Sequence, residues 1–156
     1  AAKKVKSMYP ETRFILLGGL DPNPSSLSLD EVAGWARSGV IEWPGHVEVK
    51  PWLAQASVFV LPSYYREGIP RSSQEALAMS LPIITTDSVG CKETVVNGVN
   101  GYLVPVKNVE AIVEKMLLFV KNPDLIVEMG KQSRIIAEEK FSEKDKIIAQ
   151  LQFLKC

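Results

Sequence analysis

The chain has 156 residues, of which 46% are hydrophobic and 23% charged, and this composition suits one globular domain of ordinary size. Its 18 Lys and Arg residues balance 18 Asp and Glu residues, so we expect no nucleic-acid partner. The two cysteines, Cys91 and Cys156, do not form a metal-binding spacing, and we expect a reduced, cytoplasmic protein. We expect neither a signal peptide nor a membrane span, because no apolar run reaches about 20 residues.

Short apolar runs alternate with helical patterns along most of the chain. Residues 1–6 are typical of the end of a helix whose beginning lies outside the chain, and we therefore expect a fragment. Three β-branched runs without polar alternation are typical of strands buried on both faces of a parallel sheet: residues 14–17, 58–61 and 82–86. Weaker runs at residues 40–43 and 101–104 are predicted as strands nearer a sheet edge.

Helical patterns fill the intervals between these strands. Ser28 is a suitable N-cap for a helix over residues 29–36, and Asn108 for a long amphipathic helix. Further helices are predicted over residues 49–56, 72–79 and 143–154 and after Pro123, and the buried stripe that follows Asn108 is predicted to hold Val109, Ile112, Val113, Met116, Leu117 and Val120. Because such alternation builds right-handed βαβ units, we predict one Rossmann-like domain over residues 1–156, a parallel sheet with helices on both faces.

The loop after residue 61 is the richest in functional side chains. Parallel sheets bind ligands beyond the carboxyl ends of their strands, and here Gly68 and the first amides of a helix follow such an end. Glu67 and Glu75 flank this turn, and a carboxylate that accepts two hydrogen bonds suits a vicinal diol. Phosphate at the helix start with carboxylates on either side describes a nucleotide-sugar site. Alternatively, Glu75 only stabilises the helix dipole and Glu67 is an exposed charge.

Several other residues allow both a functional and a structural interpretation. Tyr64 and Tyr65 suit stacking on a sugar or base, or packing over the strand end. Arg66 and Arg71 lie nearest to the expected phosphate, and each is a phosphate ligand or a solvated charge. His46, the single histidine, lacks the partners of a catalytic triad and is interpreted as a loop residue.

Residues 67–87 resemble the E-x7-E region of the retaining GT-B glycosyltransferases of family four. The resemblance extends through residues 14–18, 45–56, Gly90 with Glu93, and 97–104, so it covers essentially the whole chain. The form of residues 65–71 is most similar to members that build bacterial surface polysaccharides. Val89, where many members have glycine, and Glu48, where aspartate is common, depart from the family pattern.

This resemblance implies the second, donor-binding lobe of a two-lobe enzyme, without its first strand and without the N-terminal acceptor lobe. It places Glu67 on hydroxyls of the transferred sugar and Glu75 on the ribose diol. It further implies that the diphosphate or base is approached by Gly18, His46, Val47, Gly68, Ile69, Pro70, Arg71 and Ser72. No cofactor and no essential metal are expected, since the helix dipole and basic residues neutralise the leaving diphosphate.

The expected activity is transfer of a hexose or N-acetylhexosamine from a nucleotide-diphosphate sugar to a glycan or lipid-linked acceptor. The expected location is the cytoplasm, with at most peripheral contact at the inner face of the membrane. With one wall of the cleft, the chain alone is expected to bind nucleotide weakly and to transfer nothing. One alternative is a sugar-nucleotide epimerase lobe, although the extra acid/base side chains are not found. The other is a non-catalytic nucleotide-binding or scaffold domain, against which the Glu67/Glu75 pair argues.

Overall fold

The computed structural model describes residues 1–20, 26–65 and 68–141. The chain divides into two compact units, one over Ala1–Trp52 and the other from Leu53 onward. Both units contain parallel strands connected through helices, which confirms the predicted Rossmann-like α/β class. That residues 1–156 act as a single domain stays a prediction.

The first unit is built on two parallel strands. It contains helix α1 (Ala2–Met8), strand β1 (Ile15–Leu17), helix α2 (Leu29–Arg37) and strand β2 (Glu42–Gly45), and β1 pairs with β2. Its most buried apolar side chains are Val5 on α1 and Val32 on α2. Each helix therefore turns one buried face inward, as the predicted crossover units require.

Strand β2 begins two residues later than the predicted 40–43. The reason is the end of α2, where the amide of Val40 donates to the carbonyl of Trp35 at 3.1 Å and that of Gly39 to Ala36 at 2.9 Å. This pattern, with Gly39 at φ +72°, is a Schellman motif, and it uses Val40 to satisfy helix carbonyls. Val40, the β-branched residue that suggested a strand, is thus part of the C-terminal cap of α2 and does not pair in the sheet.

In residues 53–65 and 68–141, the second unit has three parallel strands in the order β3-β4-β5. Strand β4 is central, and its four residues are all buried. Helix α4 packs on β3 and β4, α5 packs on β4 and β5, and α6 packs on α4. The elements in chain order from the boundary of the two units are α3 (Lys50–Leu53), β3 (Phe59–Leu61), α4 (Arg71–Ala78), β4 (Ile83–Thr86), a 3₁₀ turn (Lys92–Thr94), β5 (Gly101–Val104), α5 (Val109–Lys121) and α6 (Asp124–Phe141).

The helices of this unit follow the predicted pattern with local exceptions. Asn108 caps α5 by accepting the amide of Ala111 at 3.0 Å, as predicted. Val109, predicted on the buried face, is 46% exposed because it directly follows an exposed turn over residues 105–108. Phe119, which the predicted stripe omits, is buried and lies against Tyr102, with ring centroids 5.6 Å apart. The predicted helix over 143–154 lies outside the described residues.

The C-terminal end of α4 is closed by the protein itself. The amide of Ser80 donates to Leu77 and that of Leu81 to Ala76, each at 3.0 Å, with Ser80 in the left-handed region at φ +61°. Arg134 on α6 adds a hydrogen bond from Nη1 to the carbonyl of Ala78 at 2.7 Å. These bonds satisfy the carbonyls that the last turn of a helix leaves unpaired.

Candidate functional site

The candidate site begins where β3 ends. Hydroxyls of β4 form hydrogen bonds to the backbone at this end of β3. Thr85 Oγ1 donates to the carbonyl of Leu61 at 2.8 Å, and Thr86 Oγ1 donates to that of Ser63. Both threonines are buried, so these hydrogen bonds fix the backbone between β3 and the loop before α4. The loop therefore leaves the sheet from a rigid edge.

No side chain in the described part of the chain caps the N-terminus of α4. Its N-cap residue is Pro70, which has no side-chain acceptor, and its first turn contains no acidic residue. By contrast, Ser28 forms a capping box with Glu31 at α2, and the Asn108 side chain caps α5. As far as the described residues show, the first amides of α4 and the positive end of its dipole are available to an anion from outside the helix.

The first turn of α4 also holds a buried hydroxyl without a partner. Ser73, the third residue of the helix, is fully buried, and its Oγ has no hydrogen-bond partner among the described residues. A buried polar group in this state costs about 1–3 kcal/mol unless a ligand or water satisfies it. The turn therefore contains unsatisfied donors on both its backbone and its side chain.

Three predicted ligand-binding residues share one face of α4. Arg71 and Ser72 lie in its first turn, and Glu75 follows at the spacing that places side chains above one another on a helix. Arg71 and Glu75 are exposed and Ser72 is half-buried. This face can offer a cation and a hydroxyl to a phosphate, and a carboxylate one turn away to a diol.

The loop before α4 gives the remaining predicted contacts of this unit. Gly68 and Ile69 are exposed, whereas Pro70 is buried and starts the helix. Gln74 Nε2 donates to the carbonyl of Ile69 at 3.2 Å, which ties the loop to the first turn of α4. Glu67, together with Arg66, lies outside the described residues, so its contact with the donor sugar stays a prediction.

In the first unit, three predicted residues follow the ends of β1 and β2. The amide of Gly18, at φ +131°, donates to the carbonyl of Gly45 at 3.0 Å, and Trp43 Nε1 donates to the carbonyl of Gly18 at 2.9 Å. His46 is exposed, and its Cβ lies 3.6 Å from the position a Cβ would take on Gly19. Val47 is half-buried. Gly18, His46 and Val47 therefore sit at the carboxyl edge of this sheet.

The carboxylates with shifted pKa values in the described residues have structural roles. Hydrogen bonds from the Arg13 guanidinium, both 2.7 Å, hold the pKa of Glu42 below its usual value at the amino end of β2. The pKa of Glu31 is lowered because its carboxylate accepts hydrogen bonds from the backbone amide and the hydroxyl of Ser28 in the capping box. Neither group belongs to the predicted donor-binding set.

A groove of about 330 Å³ lies at the other end of α4 from the candidate site. Its lining is largely apolar and includes Met79, Leu81, Ile126 and Val127. Among the described residues that line this groove, Lys131 is the one charged side chain, so they offer no acid/base pair for chemistry. We therefore place the candidate site at the start of α4.

The sequence of residues 1–122 matches the family model of the glycosyl transferases group 1. The chain belongs to this family. A relative from Campylobacter jejuni is 33% identical over 98% of this chain and 40% of its own length. It is named N,N'-diacetylbacillosaminyl-diphospho-undecaprenol alpha-1,3-N-acetylgalactosaminyltransferase. This group 1 chain thus spans about 40% of the length of that relative.

Solved structures place the fold of this group 1 chain among GT-B glycosyltransferase lobes. The C-terminal domain of a group 1 glycosyltransferase from Francisella tularensis is 21% identical with a TM-score of 0.77, over 90% of this chain and 75% of that one. The pneumococcal O-GlcNAc transferase in complex with UDP and GlcNAc is 24% identical with a TM-score of 0.80, over 97% of this chain and 31% of that one. These likenesses confirm the architecture.

The structure brings part of the predicted set together within each unit of this group 1 chain. Gly68, Ile69, Pro70, Arg71, Ser72 and Glu75 lie along one loop and helix start in the second unit. Gly18, His46 and Val47 belong to the first unit. That both groups contact one ligand stays a prediction. None of the described helices combines the length and apolar character needed to cross a bilayer.

Three residues of structural interest at these edges escaped the sequence analysis. The Ser73 hydroxyl and the Trp43 hydrogen bond to Gly18 depend on burial and on chain pairing that no local pattern indicates. Lys107 Nζ lies 4.6 Å from the centroid of the Tyr64 ring, a contact between loops far apart in the sequence. The available signals were that Lys107 follows the strand predicted over residues 101–104 and that Ser73 lies at the start of the helix predicted over residues 72–79.

Proposed function

We propose that this chain is the donor-binding part of a retaining glycosyltransferase. The substrate would be a nucleotide-diphosphate sugar, and a hexose or N-acetylhexosamine would pass to a glycan or lipid-linked acceptor. The observation that carries the proposal is the start of α4, where the described residues supply no side-chain cap, no acidic first turn and no partner for the buried Ser73 hydroxyl. Such a helix start favours a bound diphosphate.

In the proposed reaction the bond between the anomeric carbon and the diphosphate oxygen breaks, and a bond to the acceptor oxygen forms. The proton of the acceptor hydroxyl passes to the leaving diphosphate. Amides of the first turn of α4 and the Arg71 guanidinium would stabilise the negative charge that develops on that diphosphate. Glu75, one turn along the same face, would accept hydrogen bonds from the ribose diol. A metal is not required in this scheme, and we expect chelators to leave nucleotide binding unchanged.

The relatives support a uridine nucleotide as the first ligand to test. The pneumococcal transferase with the same fold holds UDP and GlcNAc. The Campylobacter relative is named for transfer of N-acetylgalactosamine to a diphospho-undecaprenol acceptor. A lipid-linked acceptor would bring the protein to the cytoplasmic face of the membrane, and this location stays a prediction.

Calorimetric titration of the chain with UDP, GDP and ADP tests the proposal. We expect one nucleoside diphosphate to bind, and Glu75→Ala to weaken it about 10- to 100-fold, the value of one or two hydrogen bonds to a charged group. Glu128→Ala, which removes an equally exposed carboxylate from α6, serves as the matched control and should bind as the unmodified chain does. Indifference of the chain to all three nucleotides would contradict the proposal.

The chain alone should not transfer sugar. Catalysis needs preorganised charge and positioning from both walls of a cleft, and this chain spans about 40% of the length of its Campylobacter relative. Incubation with a nucleotide sugar and candidate acceptors should therefore release no nucleotide above the rate without protein. Measurable turnover would show that one lobe suffices.

A further inference from the structure

Tyr64, Tyr65 and Lys107, here called the tyrosine–lysine cluster, form an exposed group outside the donor-binding set. The two rings stack with centroids 4.3 Å apart at 30°, and their hydroxyls lie 3.0 Å from each other. Lys107 Nζ lies 4.6 Å from the centroid of the Tyr64 ring. Tyr64 is 48% exposed and Tyr65 66%, so a large aromatic surface faces solvent beside a cation.

The topology places this cluster at the ligand-binding edge of the second unit. Tyr64 follows β3 and Lys107 follows β5, and both strands run parallel to the central β4. Strands of one sheet are about 4.8 Å apart, so the Lys107 side chain bridges roughly two strand spacings to reach Tyr64. The cluster therefore spans the carboxyl edge on which parallel sheets bind their ligands.

The Lys107 ammonium has no acidic partner within the described ranges. Its one described interaction is with the Tyr64 ring, and it donates no hydrogen bond there to a carboxylate or carbonyl. A cation over an aromatic face keeps its N–H donors for another group. An anion that approached this edge would meet a charge that no described carboxylate neutralises.

The backbone at Lys107 supports a role beyond packing. Lys107 adopts φ +57°, the left-handed region that favours glycine over residues with a side chain. In the described residues, only Ser80 shares this property among non-glycine positions. Strained positions of this kind cluster at binding sites and persist where the surrounding structure stabilises the conformation. Here the strained residue is the one that carries the charge.

We propose that the tyrosine–lysine cluster binds an anionic sugar, and that this sugar belongs to the acceptor. A pyranose ring would pack its apolar face on the exposed tyrosine surface, while its phosphate or carboxylate would pair with Lys107. The assignment to the acceptor rests on the proposed function, because the donor diphosphate is assigned to the start of α4. Binding of an anionic sugar at the cluster is itself independent of that function.

Backbone amide NMR of the chain, saturated with UDP to occupy the donor site, tests this inference. Glucose 1-phosphate and glucuronate should shift the resonances of Tyr64, Tyr65 and Lys107, whereas glucose or inorganic phosphate alone should bind at least about ten-fold more weakly, since each offers half of the contacts. Equal binding of inorganic phosphate would reduce the cluster to a non-specific anion site and overturn the proposal. So would binding to anionic phospholipid vesicles without any response to the sugars.

Lys107→Gly is the decisive variant, because glycine suits φ +57° and the fold should be retained or stabilised. We expect it to weaken glucose 1-phosphate binding at least ten-fold with no fall in Tm. Ser80→Gly, the same substitution at the other strained position, should leave binding unchanged. Unchanged binding in Lys107→Gly would overturn the inference. If UDP fails to bind while the cluster responds, the proposed donor site is wrong and the anionic-sugar site stands.

Discussion

The two ends of α4 differ in how their unpaired backbone groups are satisfied. At the C-terminal end, amides of Ser80 and Leu81 and the Arg134 guanidinium all donate to helix carbonyls. At the N-terminal end, Pro70 gives no side-chain acceptor to the first amides, and the Ser73 hydroxyl has no partner among the residues that the structure describes. The described residues thus supply partners at the C-terminal end of this helix and none of these at its N-terminal end, where the proposed function places a ligand.

Helices α2 and α5 differ from α4 at their N-termini. The N-termini of α2 and α5 are capped by Ser28 and Asn108, and each has an acidic residue in its first turn. The first turn of α4 contains none and carries Arg71 instead. A cap and an acidic residue would each stabilise the helix, so the start of α4 is less stabilised by its own side chains than the starts of α2 and α5.

The largest effect on stability is expected from Gly130→Ala, at the C-terminal end of α4. A Cβ on Gly130 would overlap the carbonyl of Ser80, so α6 would have to move away from the end of α4. We expect the free energy of unfolding, measured by urea denaturation, to fall by about 3 kcal/mol. The control is Gly34→Ala on α2, where a Cβ meets nothing within 4 Å. That variant should gain about 0.5–1 kcal/mol from helix propensity. Equal stability of both variants would contradict the close approach.

At the N-terminal end of α4, Ser72→Asp should change nucleotide binding and stability in opposite directions. A carboxylate in the first turn of α4 interacts well with the helix dipole, so the free energy of unfolding should rise by about 0.3–1 kcal/mol. The same charge would repel a diphosphate, and the affinity for the nucleotide should fall at least about ten-fold, or 1.4 kcal/mol. Ser72→Asn, similar in size but neutral, controls for shape. If the aspartate variant binds nucleotide normally, the phosphate does not lie at this turn.

Local patterns predicted much of the fold. Apolar runs located the strands, and Ser28 and Asn108 located the starts of α2 and α5, because caps and periodicity act over a few residues. Strand β2 was misplaced since the amide of Val40 serves a helix cap. The exposure of Val109 was missed for a similar reason, as its turn decides its environment.

Part of the candidate site also followed from the sequence, namely the loop and helix start that carry Gly68, Arg71, Ser72 and Glu75. What could not be predicted depends on contacts between distant segments. That the Ser73 hydroxyl is buried without a hydrogen-bond partner among the described residues depends on tertiary packing. Only the parallel arrangement of β3, β4 and β5 brings Lys107 to Tyr64.

Arg134→Met tests the side-chain contribution to the closed end of α4. The loss of the hydrogen bond from Nη1 to Ala78 should lower the free energy of unfolding by about 1 kcal/mol, while nucleotide affinity stays unchanged. Glu138→Gln removes the exposed ion pair of the same arginine and should cost at most about 0.5 kcal/mol. If the two variants lost equal stability, the ion pair and not the helix cap would be the stabilising interaction.

The smallest expected effect is a gain at Ser80. Since a left-handed residue with a side chain is strained by about 1 kcal/mol, Ser80→Gly should raise the free energy of unfolding by about that amount or slightly less. Lys107→Gly relieves the same backbone strain, and thermal unfolding should show similar gains for the two variants. The two variants should differ in ligand binding, because Ser80 lies at the C-terminal end of α4 and Lys107 lies at the carboxyl edge of the sheet, where the anionic sugar is proposed to bind. If Ser80→Gly lowered the free energy of unfolding while Lys107→Gly raised it, the serine side chain, and not its backbone conformation, would be what stabilises the C-terminal end of α4.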